Sequence, residues 1–255
     1  MAYSERARVW EDYLERVNRT IASLAEMNQI CEDTIKSMWL INSQIFDTVK
    51  ASWGMKKLPN YQVFVSVYYK RNIVYLQSSH ALACIGFIDP SSNLNRTVFE
   101  TILRSYLFVV EHEEADRYFQ VIDTAEEESY KIKKGVTCLR GKMYSPKTGE
   151  QLRNLYKELC ISAHPNIRGA ALDYPEYLPH RIEDNLRIIQ SLMYGNIQIM
   201  AECFIDFLSP LARKLIKASM ERIASTLKAV PNFEPDKDSY SERIRLKRGN
   251  FLKSL

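Results

Sequence analysis

Glycine and proline are scarce in this chain, eight and nine in 255 residues. Both interrupt periodic structure, so their scarcity, together with long unbroken periodic segments, points to helices. The five cysteines (Cys31, Cys84, Cys138, Cys160 and Cys203) are odd in number and widely spaced, with no Cys-x-x-Cys pair. That spacing argues against a zinc site or a disulfide framework and fits reduced, mostly buried thiols. Long apolar runs are missing too. The stretches at 105–110 and 197–208 are short or carry Glu202 and Asp206, against the roughly 20 residues needed to span a bilayer. Residues 1–8 contain no apolar signal core, so the expectation is a cytoplasmic protein with no membrane contact.

Signature motifs are also absent. There is no G-x-G-x-x-G, G-x-x-x-x-G-K-[ST], H-E-x-x-H or G-x-S-x-G, which counts against nucleotide-dependent, metalloprotease and hydrolase chemistry. Di-iron bundles need Glu-x-x-His on inward faces. The residues three before the histidines are Gln77, Val109, Ile161 and Tyr177, and none is Glu. No metal-ligand set and no cofactor-binding set can be named. Any chemistry left to this chain is metal-free acid–base chemistry.

What is present is helical periodicity. From Trp10 a 4-3 spacing runs through Leu14, Val17, Ile21, Leu24, Asn28, Cys31, Ile35, Met38, Asn42, Ile45 and Val49, with neither Gly nor Pro before Gly54. Read as heptads, it predicts a long N-terminal helix over 5–52, about 60–70 Å in length. Such a helix either breaks near Asn28 or packs its end on another subunit, as a homodimer. Asn28 and Asn42 share one seam position and can act as a register device across a dimer, or bond to neighbouring backbone within one bundle. Residues 61–69 have strand propensity, although their continuation suits a helix. Asp89-Pro-Ser-Ser reads as a turn with an N-cap, followed by an apolar helix from Asn95. Ser209-Pro210 reads as an N-cap and first-turn proline. The expected architecture is an all-α bundle of six to eight helices in a single domain, 1–230, with one long loop near 164–179. A mobile basic tail, 231–255, follows.

The charge is concentrated. Glu242 to Leu255 holds Arg243, Arg245, Lys247, Arg248 and Lys253 against Glu242 alone, so the whole surplus of +4 sits there. A basic tail of this kind attracts RNA or an acidic partner, or simply keeps a terminus soluble.

Two segments could carry chemistry. In Asn95-Arg-Thr-Val-Phe-Glu-Thr-Ile-Leu-Arg-Ser-Tyr106, the residues Arg96, Glu100 and Arg104 recur at i, i+4 and i+8. That spacing predicts one charged face on an apolar helix, either a salt-bridged stripe or the lining of a polar pocket. In Leu155-Tyr-Lys-Glu-Leu-Cys-Ile-Ser-Ala-His-Pro165, Lys157 and His164 share a face, with Arg153 one turn earlier and Arg168 in the loop beyond. A histidine of near-neutral pKa beside cations can deprotonate a ribose 2′-OH and stabilise the charge that develops. It can equally cap the helix. His80, His112 and His180 stand apart, with no assigned role.

The same two segments resemble a family of uncharacterised prokaryotic all-helical proteins with an R-x-x-x-E helix and a helix ending in His-Pro. That family is remotely similar to the HEPN superfamily of helical bundles, many of whose members are metal-independent ribonucleases of toxin–antitoxin and anti-phage systems. The superfamily's Arg-x(4–6)-His motif meets across a dimer cleft. Here Lys157 stands seven residues before His164 and Arg153 eleven before. The resemblance implies an endoribonuclease or RNA-binding protein with His164, Lys157, Glu100 and Arg104 at the site. Arg153, Arg168, Arg243, Arg245, Lys247 and Arg248 would contact phosphate. The alternative is a non-catalytic, dimeric helical scaffold in which His164 is structural.

Overall fold

The computed structural model describes residues 3–53, 58–127, 146–163 and 177–227. Among them are eight α-helices, one 3-10 turn and no strand, an all-α bundle. The helices are α1 Tyr3–Ser23, α2 Ala25–Trp53, α3 Asn60–Cys84, α4 Ile88–Val110, α5 His112–Val121, α6 Pro146–Ala163, α7 Leu178–Phe204 and α8 Pro210–Thr226; the 3-10 turn, Ile205–Phe207, separates the last two. One contiguous apolar core runs through α1–α4 and α6–α8. A smaller aromatic cluster of Phe64, Tyr68, Phe108 and Tyr118 joins α3, α4 and α5. None of the described helices is long and apolar enough to cross a membrane.

The long N-terminal segment is two helices, divided at Leu24. The Thr20 hydroxyl donates to the Arg16 carbonyl at 2.9 Å and the Ser23 hydroxyl to the Thr20 carbonyl at 2.7 Å. Hydroxyls bonded back into the preceding turn bend a helix. The Leu24 N–H is shared between the carbonyls of Thr20 and Ile21, both at 3.1 Å, so the chain turns without unwinding. From Val17 onward the heptad seam faces the chain's own core: Val17, Cys31, Ile35, Met38 and Ile45 are all buried. Asn28 is satisfied inside the bundle, where its carbonyl oxygen lies 2.7 Å from His80 Nε2. Its role is therefore intramolecular.

Residues 61–69 are helical. Phe64, Val65, Tyr68, Tyr69, Ile73 and Leu76 are buried while Val67 and Val74 are exposed, a 3.6-residue period that overrides the local strand propensity. Asp89-Pro-Ser-Ser is not the turn. It lies within the first turns of α4, which starts at Ile88; proline is tolerated there because its missing N–H would have no intrahelical partner. The chain reverses earlier, at Ile85-Gly86-Phe87, where Gly86 has φ +83°. Ser209-Pro210 does open α8: the Ser209 hydroxyl accepts from the Ala212 N–H at 3.1 Å, an N-cap in the expected place.

A buried polar network fixes the register of the three central helices. Asn185 on α7 accepts from Asn95 Nδ2 at 2.9 Å and from the Ser91 hydroxyl at 3.0 Å, and donates to the Ser92 hydroxyl at 3.2 Å. The Ser79 hydroxyl on α3 donates to Asn95 Oδ1 at 2.7 Å. Two turns away on α3, Asn72 donates to Asn196 on α7 at 3.0 Å and accepts from Thr101 on α4 at 2.6 Å.

Gly86 also seats α1. The Tyr13 hydroxyl donates to the Gly86 carbonyl at 2.9 Å, and a Cβ on Gly86 would collide with that hydroxyl and with a methyl of Val17. Gly86→Ala therefore combines a positive φ with a steric clash. We expect a loss of about 1–3 kcal/mol, read as a lower midpoint in urea unfolding, together with increased protease sensitivity of α1.

Candidate functional site

On α4 the apolar residues Val98, Phe99 and Ile102 turn inward and Arg96 and Glu100 lie half-buried on the flank. Against that flank sits α6. Leu152 and Leu159 anchor it in the core, and Tyr156 supplies the polar contact. The Tyr156 ring stacks on Phe99 with centroids 6.0 Å apart, the Arg96 guanidinium lies 5.7 Å from its centroid, and its hydroxyl reaches Glu100 Oε1 at 3.5 Å. Arg96 Nε donates to the same carboxylate oxygen at 3.0 Å.

Charges here reinforce one another. Burial lowers the pKa of Arg96, but the hydrogen bond to Glu100 and the neighbouring Cys160 and Tyr156 outweigh it and hold the guanidinium charged. Burial, with Cys160 and Glu100 adding, raises the Tyr156 phenol. It stays a proton donor at neutral pH. Such a pair clamps two helices together and offers no activated nucleophile.

Arg104 goes elsewhere. Its guanidinium lies 5.8 Å from the Tyr68 ring centroid and 5.9 Å from that of Tyr118, with Nη1 3.4 Å from the Tyr68 hydroxyl. Glu100 pairs with Arg96 alone among the arginines of this helix. The expectation of one charged face fails for a geometric reason: eight residues rotate an α-helix by about 80° and advance it by about 12 Å. Arg96 and Glu100 are thus brought to α6 while Arg104 is delivered to the aromatic cluster. Lys157 and Arg153 are exposed on α6. His164, Arg168, Arg243, Arg245, Lys247 and Arg248 lie outside the described residues.

A second polar cluster was not singled out from the sequence. His80 and Cys84, four residues apart on α3, meet Asn28 on α2. Asn28 Oδ1 lies 2.7 Å from His80 Nε2 and accepts from the Cys84 thiol at 3.1 Å, while its amide donates to Glu32 at 3.2 Å. The Cys84 sulfur is 3.5 Å from the same ring nitrogen. Cysteine, histidine and asparagine are the residue types of a thiol nucleophile, but there the asparagine orients the ring through the nitrogen that does not face the thiol. Here both partners meet Nε2. Burial and the charge of Glu32 push the Cys84 thiol up to about 11, and burial pushes Cys31 up to about 12, so both are protonated at neutral pH. The legible signal was the i, i+4 spacing of His80 and Cys84 opposite a seam asparagine.

Of the other histidines, His112 stacks on Tyr61 with centroids 3.7 Å apart, and His180 is exposed on α7. Among the described residues no three His, Cys, Asp or Glu side chains gather as a metal would require. No family model, curated protein or solved structure matches this chain.

His80 supplies a pH prediction. Burial lowers its pKa, with Glu32 opposing, so the folded protein prefers the neutral ring. The unfolded chain takes up the proton first as pH falls below about 6.5. Stability is then lost toward the lower folded value, with a slope of at most about 1.4 kcal/mol per pH unit. Urea midpoints at pH 7.5 and 5.5 should differ less in His80→Gln, which keeps an N–H to offer Asn28, than in the wild type; an equal difference would assign the acid sensitivity to other groups.

Proposed function

We propose that this chain is a non-catalytic helical interaction protein in which His164 is structural. One observation carries this reading: the two charged residues expected to organise a catalytic cleft diverge. Glu100 is engaged by Arg96 and by Tyr156 on α6, and Arg104, one turn further along α4, is held by Tyr68 on α3 and Tyr118 on α5. Each is consumed in holding helices together. Dimerisation through the N-terminal helix, and recruitment of an acidic partner by Arg243, Arg245, Lys247 and Arg248, belong to this reading.

A second reading has a specific observation in its favour. On α6, Arg153 and Lys157 are exposed one turn apart on the helix that leads to His164. Cations displayed in that way suit phosphate, as in a HEPN-like, metal-independent ribonuclease or an RNA-binding protein of a toxin or defence system. Lys157 supplies a point charge there, without the bidentate fork of arginine.

Incubation of bulk RNA and tRNA with the purified protein in EDTA, beside His164→Ala, separates the two. We expect intact RNA with both proteins. Cleavage by the wild type that disappears in the variant would overturn the interaction reading and establish a nuclease centred on His164.

A further inference from the structure

Among the described helices, α6 has one extensive contact, with α4, whereas every other helix packs on two or more neighbours. Of its nine described side chains only Leu152 and Leu159 are buried. They stand seven residues apart with Tyr156 between them, so all three share one stripe of the helix. Arg153, Asn154 and Lys157 are exposed. A helix seated by one narrow stripe opens more readily than one packed on several sides, because fewer buried apolar contacts are lost.

The polar ties that set the bundle do not run through α6. On α4, Ser91, Ser92 and Asn95 are bonded to α3 and α7, and Thr101 to Asn72 on α3. Departure of α6 therefore leaves the register of α3, α4 and α7 in place. What ties α6 down is Tyr156. Its ring stacks on Phe99, and its hydroxyl donates to Glu100 Oε1 at 3.5 Å, a long hydrogen bond. Arg96 donates to the same oxygen at 3.0 Å, so Glu100 keeps a partner when Tyr156 withdraws. Phe99, which has no exposed surface in the closed bundle, is then uncovered.

We propose that α6 is a releasable cover, and that the flank of α4 beneath it takes an amphipathic helix of a partner protein. The proposal rests on the interaction reading above. The chemistry of the occupant follows from the helix already seated there: apolar side chains seven residues apart, and between them an aromatic ring with a hydrogen-bond donor that stacks on Phe99 and reaches Glu100. Arg96 and Glu100 neutralise one another at this flank, so it selects apolar spacing rather than net charge. Because the partner competes with α6, its apparent affinity is reduced by the fraction of molecules in which α6 is closed.

Hydrogen exchange of the full chain in increasing, sub-denaturing urea, followed by mass spectrometry, tests the release. We expect α6 amides to exchange roughly tenfold or more faster than those of α3, α4 and α7, with little dependence on urea. Tyr156→Phe keeps the ring on Phe99 and removes the hydroxyl. It should speed exchange in α6 about threefold and leave α3 and α7 unchanged. Exchange of α6 in step with α4 and α7 would overturn the proposal, as would a Tyr156→Phe variant that exchanges like the wild type. The flank is probed with a fluorescein-labelled synthetic peptide of residues 146–163. It should bind a full chain carrying Leu152→Ser and Leu159→Ser, whose own α6 is undocked, about tenfold or more tighter than the wild type. Equal binding to both chains would sink the flank as a docking surface, as would no binding to a double variant whose α3, α4 and α7 keep wild-type protection. Should the double variant unfold, exchange in Tyr156→Phe decides alone. Each of these failures leaves the interaction reading standing, with its surface elsewhere. His164-dependent RNA cleavage would remove that reading without altering the exchange of α6.

Discussion

The arrangement of this bundle depends on the hydroxyl–amide network centred on Asn95 and Asn185. Apolar helix faces tolerate sliding, because one leucine contact resembles the next. Buried amides do not: a shift of one turn would leave Asn95, Ser79, Ser91 and Ser92 without partners, at about 1–3 kcal/mol for each unsatisfied group. The pairs Asn72–Asn196 and Asn72–Thr101 repeat the constraint further along α3 and α7. With α4 locked at two levels, its outer positions are locked as well. That is why Arg96 and Glu100 meet Tyr156 on α6 while Arg104 meets the rings of Tyr68 and Tyr118. The polar core thus decides what the charged residues can do.

Periodicity made most of the helices legible in the sequence. The 4-3 spacing of residues 10–49, the apolar stripe after Asn95 and the Ser209-Pro210 cap each depend on short-range geometry, and the chain encodes that geometry directly. The break at Leu24 was only half legible. Thr20 and Ser23 are compatible with a straight helix until their hydroxyls turn back to carbonyls of the preceding turn. Asp89-Pro-Ser-Ser misled for a related reason: serine and aspartate favour caps and turns through local hydrogen bonds, yet Ser91 and Ser92 find partners on α7, over 90 residues away. Tertiary partners of that kind are invisible to local patterning.

The candidate site was legible only in part. The Arg96–Glu100 pair follows from i, i+4 spacing, and the structure contains it. Extending the face to Arg104 treated the helix as having a four-residue repeat, and the accumulated rotation carries the third residue away. The cluster of His80, Cys84, Asn28 and Glu32 escaped notice because Asn28 and His80 are 52 residues apart. Its chemistry is that of a satisfied interior. Cys31, Cys84, Cys160 and Cys203 are free thiols, and the two nearest this cluster are held protonated by burial. A residue set that looks reactive by type is quiet by environment.

The same distinction between type and environment applies to α1. Along one helix the seam passes from buried at Val17 to half-exposed at Trp10, although the sequence pattern does not change. What changes is the depth of bundle beneath it, which ends where Tyr13 reaches Gly86. Because Gly86 admits that approach through its positive φ and missing Cβ, one residue both anchors α1 and sets where the core stops.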